Sequence, residues 1–202
     1  MQELLIATRN AGKVAEFARI LSDLPLRLRG LAELGVEGEA EETGATFDEN
    51  ATLKAEFYAA RAGVPTLADD SGLEVEALGG APGVLSARYA GPNATDGQRV
   101  ARLLRELEGV GDDERRARFV CVIALVFPRT GESELFRGVC RGHIVREPRG
   151  AGGFGYDPVF VPEGHTQTFG ELPHEIKNRV SHRARAAAEA ARFLRGRFPR
   201  DA

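Results

Sequence analysis

The sequence predicts an α/β protein built around a mixed, twisted central β-sheet. In the first half of the 202-residue chain, short apolar segments typical of buried strands alternate with segments of helical periodicity. In the middle, two longer apolar segments follow each other with only a turn between them, as in a β-meander. Strands separated by helices favour parallel pairing, whereas meander strands pair antiparallel, so the two patterns together indicate a mixed sheet.

The first half begins with a strand–turn–helix pattern. Residues 4–7 are all apolar and predict a short buried strand, and residues 8–13 form a polar turn. Residues 14–21 place apolar side chains at i, i+3, i+4 and i+7, which predicts a helix. A second helix is predicted from Thr46, whose T-x-x-E pattern is a capping box, to Gly63.

The rest of the chain is mostly strands. Residues 66–72 predict a short strand that ends in two acids and a sharp turn, and the alternating residues 73–78 predict a half-exposed strand. A helix is predicted over 95–107, and the meander strands over 117–127 and 134–145. A glycine-rich loop, a short strand and a terminal helix follow. The length suits one domain or two closely joined lobes, and we treat residues 1–202 as a single domain.

Composition excludes several classes of protein. The formal charge of −3 and pI of about 5.9 argue against bulk nucleic acid or an anionic membrane as the main partner. Apolar segments are too short to span a membrane, and the first residues do not resemble a signal peptide. Cys121 and Cys140 lie in apolar segments and are expected to be buried free thiols. We therefore expect a cytoplasmic location.

Lysine is scarce in this chain. Lysine and arginine together number 27, yet only Lys13, Lys54 and Lys177 are lysines. Lysine and arginine differ in geometry and hydration, so a lysine retained against this bias suggests a position that needs a compact ammonium group. Chance remains the alternative for so few residues.

Two segments suit phosphate and metal chemistry. Residues 8–13 join a strand to a helix N-terminus, where main-chain N–H groups, the helix dipole and a lysine favour an anion. An Asn-capped helix with surface charges is an equal alternative. Residues 69–72 place two carboxylates together, which suits a hard cation, with residues 41–42 as a second acidic pair. A turn capped by Asp is the alternative, and which of these four acids binds metal stays open.

Three further segments suit nucleotide binding. Asn50 and Lys54 lie four residues apart on one helix face, a spacing that often gives only surface hydrogen bonds. Residues 152–158 place two aromatic side chains among glycines, where a ring can stack on a base or can fill the core. Residues 177–183 gather basic side chains near a helix start, which suits a phosphate or carbonyl oxygen, or forms a basic surface helix.

Taken in order, the motifs TRNAGK, TFDENATLKA, ADDSGLEVEALGGAPGVLSARYAG, GGFGYDPVF and KNRVSHR resemble the inosine-triphosphate pyrophosphatase family, also called dITP/XTP pyrophosphatases, over nearly the whole chain. The resemblance implies a central sheet flanked by helices, and two lobes with a nucleotide-binding cleft between them. It also implies a cytosolic, Mg²⁺-dependent hydrolase, usually a homodimer. Such an enzyme cleaves non-standard purine nucleoside triphosphates (ITP, dITP, XTP) to the monophosphate and pyrophosphate.

The resemblance also implies roles for individual residues. Asp70 would be the general base and a Mg²⁺ ligand, and Glu41 a second ligand. The residues implied to bind substrate are Thr8, Arg9, Asn10, Ala11, Gly12, Lys13, Ser71, Phe154, Gly155, Tyr156, Asp157, Lys177, His182 and Arg183. Residues 8–13 would bind phosphate, 154–157 the base, and His182 and Arg183 would donate to O6 of a 6-oxo purine, which discriminates against adenine.

Two other functions stay open on the sequence. One is a pyrophosphatase of similar architecture that acts on pyrimidine or modified-base nucleotides. The other is a non-catalytic nucleotide-binding module. The paired acids at 69–70 argue against the second alternative, because carboxylates without a metal do not help to bind a polyanion.

Overall fold

The computed structural model describes residues 2–199. The strands are β1 (Gln2–Ile6), β2 (Leu26–Gly30), β3 (Thr66–Val75), β4 (Arg116–Phe127), β5 (Glu132–Ile144) and β6 (Phe160–Pro162). The longer helices are α1 (Ala11–Ile20), α2 (Phe47–Ala62), α3 (Asp96–Glu106), α4 (His174–Val180) and α5 (His182–Arg197), and short 3₁₀ turns occur between them.

The strands form one mixed sheet in the order β2-β1-β3-β4-β5-β6. β1 pairs in parallel with both β2 and β3, whereas β5 pairs antiparallel with β6. β1 and β2 can pair in parallel because α1 lies between them in the chain and returns it to the end of the sheet at which β1 begins. The predicted fold class is therefore confirmed, although β2 was not among the predicted strands.

The predicted helices follow their sequence signals closely. Thr46 caps α2 with the expected capping box, and Gly63 ends the helix in a left-handed conformation with φ of 67°. Thr95 caps α3 with a second capping box, formed with Gln98. Both boundaries agree with the predicted ranges.

β3 corrects the prediction of two separate segments at 66–72 and 73–78. The strand runs without interruption from Thr66 to Val75, and a 3₁₀ turn follows at Glu76–Leu78. Ser71 and Gly72 lie inside this strand, so the predicted sharp turn is wrong. Asp69 and Asp70 therefore lie in the middle of a largely buried strand rather than at its end.

The C-terminal segment contains one helix more than predicted. The predicted helix start within residues 177–183 is present, because α5 begins at His182, but the short helix α4, which ends at Val180, was not predicted. Lys177 lies in the last turn of α4, whereas His182 and Arg183 lie in the first turn of α5.

The chain divides into two compact units, each with its own core. Within the described residues, the first unit comprises 2–70, 121–138 and 183–199, and the second comprises 71–120 and 139–182. The core of the first unit is formed by β1, α1, the second half of β4 and α5, and includes Phe17, Leu67 and Ile123. The core of the second unit includes Leu103, Phe119, Phe160 and Phe169.

Cys121 and Cys140 are both buried free thiols, as predicted. Among residues 2–199, no helix is both long enough and apolar enough to cross a membrane.

Candidate active site

The polar turn after β1 forms the N-terminus of α1. The Asn10 side chain caps the helix by accepting a hydrogen bond from the Lys13 main-chain N–H at 3.1 Å, and Thr8 Oγ1 accepts from the Asn10 N–H at 3.2 Å. Ala11 and Gly12 occupy the first turn, where main-chain N–H groups point out of the helix. Arg9 donates to the Gly38 carbonyl at 2.6 Å and so ties this turn to another loop of the same unit.

Lys13 is not a solvated surface lysine. Its Nζ lies 2.8 Å from Asp69 Oδ2, and its side chain is only 15% exposed. Arg183, which is almost completely buried, lies 3.6 Å from the same oxygen and also pairs with Glu16 of α1. Burial alone would raise the pKa of the Asp69 carboxyl. The positive charges of Lys13 and Arg183 have a larger effect in the opposite direction and hold this pKa far below its usual range. Asp69 is therefore a permanent anion that anchors two cations.

Asp70 has different neighbours. Its Oδ1 lies 3.3 Å from Lys54 Nζ, and its Oδ2 accepts from Asn50 Nδ2 at 3.3 Å. Lys54 also contacts Glu42 Oε1 at 2.9 Å. Burial raises the pKa of Asp70, the positive charge of Lys54 opposes that rise, and Glu42 adds to it. A carboxylate with a raised pKa that is held by two neighbours has the properties of a general base.

Asn50 links this carboxylate to the segment before α2. It is completely buried, and its Oδ1 accepts from the Gly44 N–H at 2.8 Å while its amide donates to Asp70. A Cβ on Gly44 would lie 2.6 Å from Glu49 Cβ and 2.8 Å from Asn50 Oδ1, so only glycine fits there. Gly44 therefore lies directly against α2, and this contact keeps the segment that contains Glu42 close to the helix.

The donor set at Asp70 fits a hard cation. Of the two acids predicted at 41–42, Glu42 contacts Lys54 beside Asp70, whereas Glu41 is exposed. Within residues 2–199, no group of three or more His, Cys, Asp or Glu side chains is arranged so that it could hold a metal ion by itself. Mg²⁺ is commonly bound by one or two carboxylates together with substrate phosphates, and Asp70 with Glu42 matches that pattern.

A second group of predicted residues lies in the second unit, around the loop 153–157. Asp157 Oδ2 accepts from the Phe154 N–H at 2.8 Å and from Lys177 Nζ at 2.7 Å. This ion pair is buried, and Lys177 Nζ lies 4.8 Å from the centre of the Phe154 ring. Gly153 has φ of 73°, and a Cβ there would lie 2.0 Å from Asp157 Oδ2, so the loop requires glycine.

The aromatic side chains of this group differ in burial. The Tyr156 ring is buried in the core, and its hydroxyl donates to the Ser86 carbonyl at 3.0 Å. Any contact of Tyr156 with a base would therefore come from its main chain. Phe154 is only partly buried, so its ring is the one available for stacking. His182 is buried and stacks on Phe119 at 4.6 Å with an interplanar angle of 10°.

The structure thus sorts the predicted residues into two groups. The first unit contains residues 8–13, Asp70 and Arg183, and the second contains Ser71, residues 154–157, Lys177 and His182. The prediction did not include Glu16, which pairs with Arg183. It named Asn50, Lys54 and Asp69 as candidates without assigning any of them a role in the site. Two signals pointed to Asn50 and Lys54: they share a helix face, and Lys54 is one of only three lysines.

Comparison with known proteins agrees with this geometry. The model of the Ham1 family matches residues 4–193. The chain belongs to the Ham1 family. It is 47% identical over 194 residues to a protein of Halalkalibacterium halodurans named dITP/XTP pyrophosphatase, an alignment that covers 96% of this chain and 100% of the relative. It is 52% identical over 188 residues to a Geobacter sulfurreducens protein of the same name, with 93% and 94% covered.

A solved Ham1 structure supports the fold. The HAM1 protein from Coxiella burnetii superposes with a TM-score of 0.88 at 45% identity, covering 97% of this chain and 100% of that one. The resemblance inferred from the five motifs is confirmed, and both clusters described above lie within the residues that the Ham1 model matches.

Proposed function

We propose that this Ham1-family chain hydrolyses non-standard purine nucleoside triphosphates, namely dITP, XTP and ITP, to the monophosphate and pyrophosphate. Its relatives named dITP/XTP pyrophosphatase support the reaction class. The observation on which the mechanism depends is the buried Asp70 carboxylate held between Asn50 and Lys54, one residue from the carboxylate that anchors Lys13.

Binding of the triphosphate is assigned to the first unit. The N-terminus of α1 offers main-chain N–H groups and the positive end of the helix dipole, which favour phosphate oxygens. Lys13 and Lys54 add two ammonium groups whose positions are fixed by Asp69 and Asp70. Since both lysines are largely buried, little side-chain entropy is lost when phosphate binds.

Asp70 is proposed to accept the proton of the attacking water. The water oxygen forms a bond to the α-phosphorus, the bridging bond from that phosphorus to pyrophosphate breaks, and the proton moves to an Asp70 oxygen. Asn50 and Lys54 keep the carboxylate oriented, because each contacts a different oxygen. Positioned acid–base catalysis of this kind contributes about 10²- to 10⁴-fold in rate.

Mg²⁺ is the proposed cofactor, with Asp70 and Glu42 as the side chains placed to hold it and Glu41 as the neighbour implied by the family resemblance. Bound there, Mg²⁺ would neutralise charge on the phosphates and on the departing pyrophosphate. The contact of Lys54 with both carboxylates supports this proposal, since it shows that they already accommodate a positive charge.

Recognition of the base is assigned to residues 154–157 and His182 of the second unit, together with Arg183 of the first unit. Phe154 provides a partly exposed ring for stacking, and its main chain is held by Asp157. His182 and Arg183 remain the proposed donors to O6. In the structure Arg183 joins Glu16 to Asp69, so it has a structural role in addition. Cytoplasmic location and a homodimer are likewise proposed from the family resemblance.

A pyrophosphate-release assay with Mg²⁺ tests the proposal. The panel contains dITP, XTP and ITP, with dATP, dGTP and dTTP as competing standard nucleotides. Faster turnover of the first three, with pyrophosphate as the product, is expected. Preference for a pyrimidine nucleotide, or release of orthophosphate, would contradict the proposed substrate or point of attack. Tight binding with no release from any nucleotide would favour the non-catalytic alternative.

A further inference from the structure

Asp96, the first residue of α3, contacts the loop 153–157 although 59 residues separate it from Gly155. Its Oδ2 accepts a hydrogen bond from the Gly155 main-chain N–H at 2.7 Å. Its other oxygen pairs with Arg99, one turn further along α3. The carboxylate thus joins the start of a helix to the main chain of a loop within the same unit.

Arg99 fixes the orientation of this carboxylate. The same guanidinium donates to the Ala87 carbonyl at 2.8 Å and to the Ala94 carbonyl at 2.6 Å. The position of Arg99 is therefore set by the main chain before α3 as well as by Asp96. Because Asp96 is about half exposed, with 45% of its side chain accessible, its ion pair alone contributes little stability.

Gly155 gives the loop a left-handed backbone conformation next to Phe154. Its φ is 63°, a conformation that glycine adopts freely, and it directly follows Phe154. The Phe154 N–H donates a hydrogen bond to Asp157 within the loop, and the next N–H along the chain, that of Gly155, donates to Asp96 of α3. Hydrogen bonds to an ionised acceptor are stronger than neutral ones, so Asp96 holds the peptide between Phe154 and Gly155 in its orientation.

We propose that Asp96 is a positioning residue for nucleobase recognition: by holding the Gly155 N–H, it sets the orientation of the Phe154 ring that stacks on the base. The inference rests on the proposed function, since it takes the loop 153–157 as the part that binds the base. Asp96 itself does not contact the base or the phosphates in this proposal.

The test compares Asp96→Ala, which removes the acceptor, with Asp96→Asn, which keeps an acceptor oxygen but loses the charge. Asp96→Ala should raise KM for dITP about tenfold with kcat within about twofold, as expected for the loss of one hydrogen bond to a charged acceptor. Asp96→Asn should restore most of the affinity. In calorimetric titrations, Asp96→Ala should bind IMP more weakly and pyrophosphate as the wild type does, because pyrophosphate has no base.

Asp112→Ala is the matched control. Asp112 also begins a short helix and forms an exposed ion pair, with Arg146 at 2.8 Å, in the same unit. It should leave KM for dITP unchanged. Asp96 also lies in the first turn of a helix, so both of its variants should lose a little thermal stability.

Three results separate this proposal from its alternatives. Equal KM values for Asp96→Ala and the wild type would overturn it. A KM increase in Asp96→Asn as large as in Asp96→Ala would also overturn it, because Asn keeps an acceptor oxygen for the Gly155 N–H. Weaker binding of pyrophosphate by Asp96→Ala would show a general structural effect and would also overturn it. Failure of the wild-type protein to turn over dITP, XTP and ITP would instead refute the proposed function.

Discussion

Replacing Asp69 by Asn tests the buried ion cluster of the first unit. In this cluster Asp69 and Glu16 balance the charges of Lys13 and Arg183, and the Asp69 side chain has no exposed surface. Asn keeps the shape but removes one negative charge, so one positive charge is left without compensation. Breaking a buried ion pair in this way costs roughly 3–5 kcal/mol.

The lower end of that range applies here. Lys13 is 15% exposed and can turn towards water, whereas Arg183 retains Glu16. We therefore expect the free energy of unfolding to fall by about 3 kcal/mol, which for a chain of this size lowers Tm by about 6–12 °C. Urea titration followed by circular dichroism measures the loss directly, and differential scanning calorimetry measures the shift in Tm.

The exposed pair between Asp23 and Arg195 provides the matched control. These side chains lie 2.8 Å apart in the same unit, but more than half of the Asp23 side chain is accessible to solvent. Asp23→Asn should change the free energy of unfolding by less than about 1 kcal/mol. If Asp69→Asn is no more destabilising than Asp23→Asn, the buried ion pairs of Asp69 do not stabilise the fold.

Three further predictions concern the reaction. Asp70→Asn should lower kcat by about 10²- to 10⁴-fold, with nucleotide binding retained in a calorimetric titration; full recovery at high Mg²⁺ would show that Asp70 only holds the ion. Glu42→Gln should raise the Mg²⁺ concentration needed for half-maximal rate, and Glu41→Gln should raise it less; the reverse order would assign the ligand to Glu41. Phe154→Ala should raise KM for dITP about tenfold through the loss of stacking, and an unchanged KM would exclude this ring as the stacking surface.

Local sequence signals predicted most of the fold. The capping boxes at Thr46 and Thr95 each satisfy helix N–H groups with side chains three residues apart, so both helix starts could be predicted from short segments. β2 was missed although its sequence, Leu-Arg-Leu-Arg-Gly, alternates with the period of a strand. Its pairing partner is β1, which is distant in sequence, and five residues are too few to indicate that pairing.

The site was predicted less completely, for a different physical reason. The sequence indicated the carboxylates at 69–70, but it could not show which cations neutralise them, because those contacts are made between separate elements. Lys13 resembles an exposed helix lysine in the sequence, whereas the structure pairs it with a fully buried acid. Asn50 and Lys54 looked like a surface pair, yet both contact Asp70, which comes 16 or more residues later.

The alternation of a β-strand explains how two adjacent acids can remain close together and have different roles. Successive side chains in β3 point to opposite faces, so Asp69 meets Lys13 and Arg183 while Asp70 meets Asn50 and Lys54 of α2. The pKa of Asp69 is lowered because two cations outweigh its burial, whereas the pKa of Asp70 is raised because burial outweighs Lys54. Asp69 therefore stays ionised as an anchor, whereas Asp70 is the carboxylate that we propose as the proton acceptor. Because the two carboxylates have different partners, a change at Asp69 should act mainly on stability and a change at Asp70 mainly on turnover.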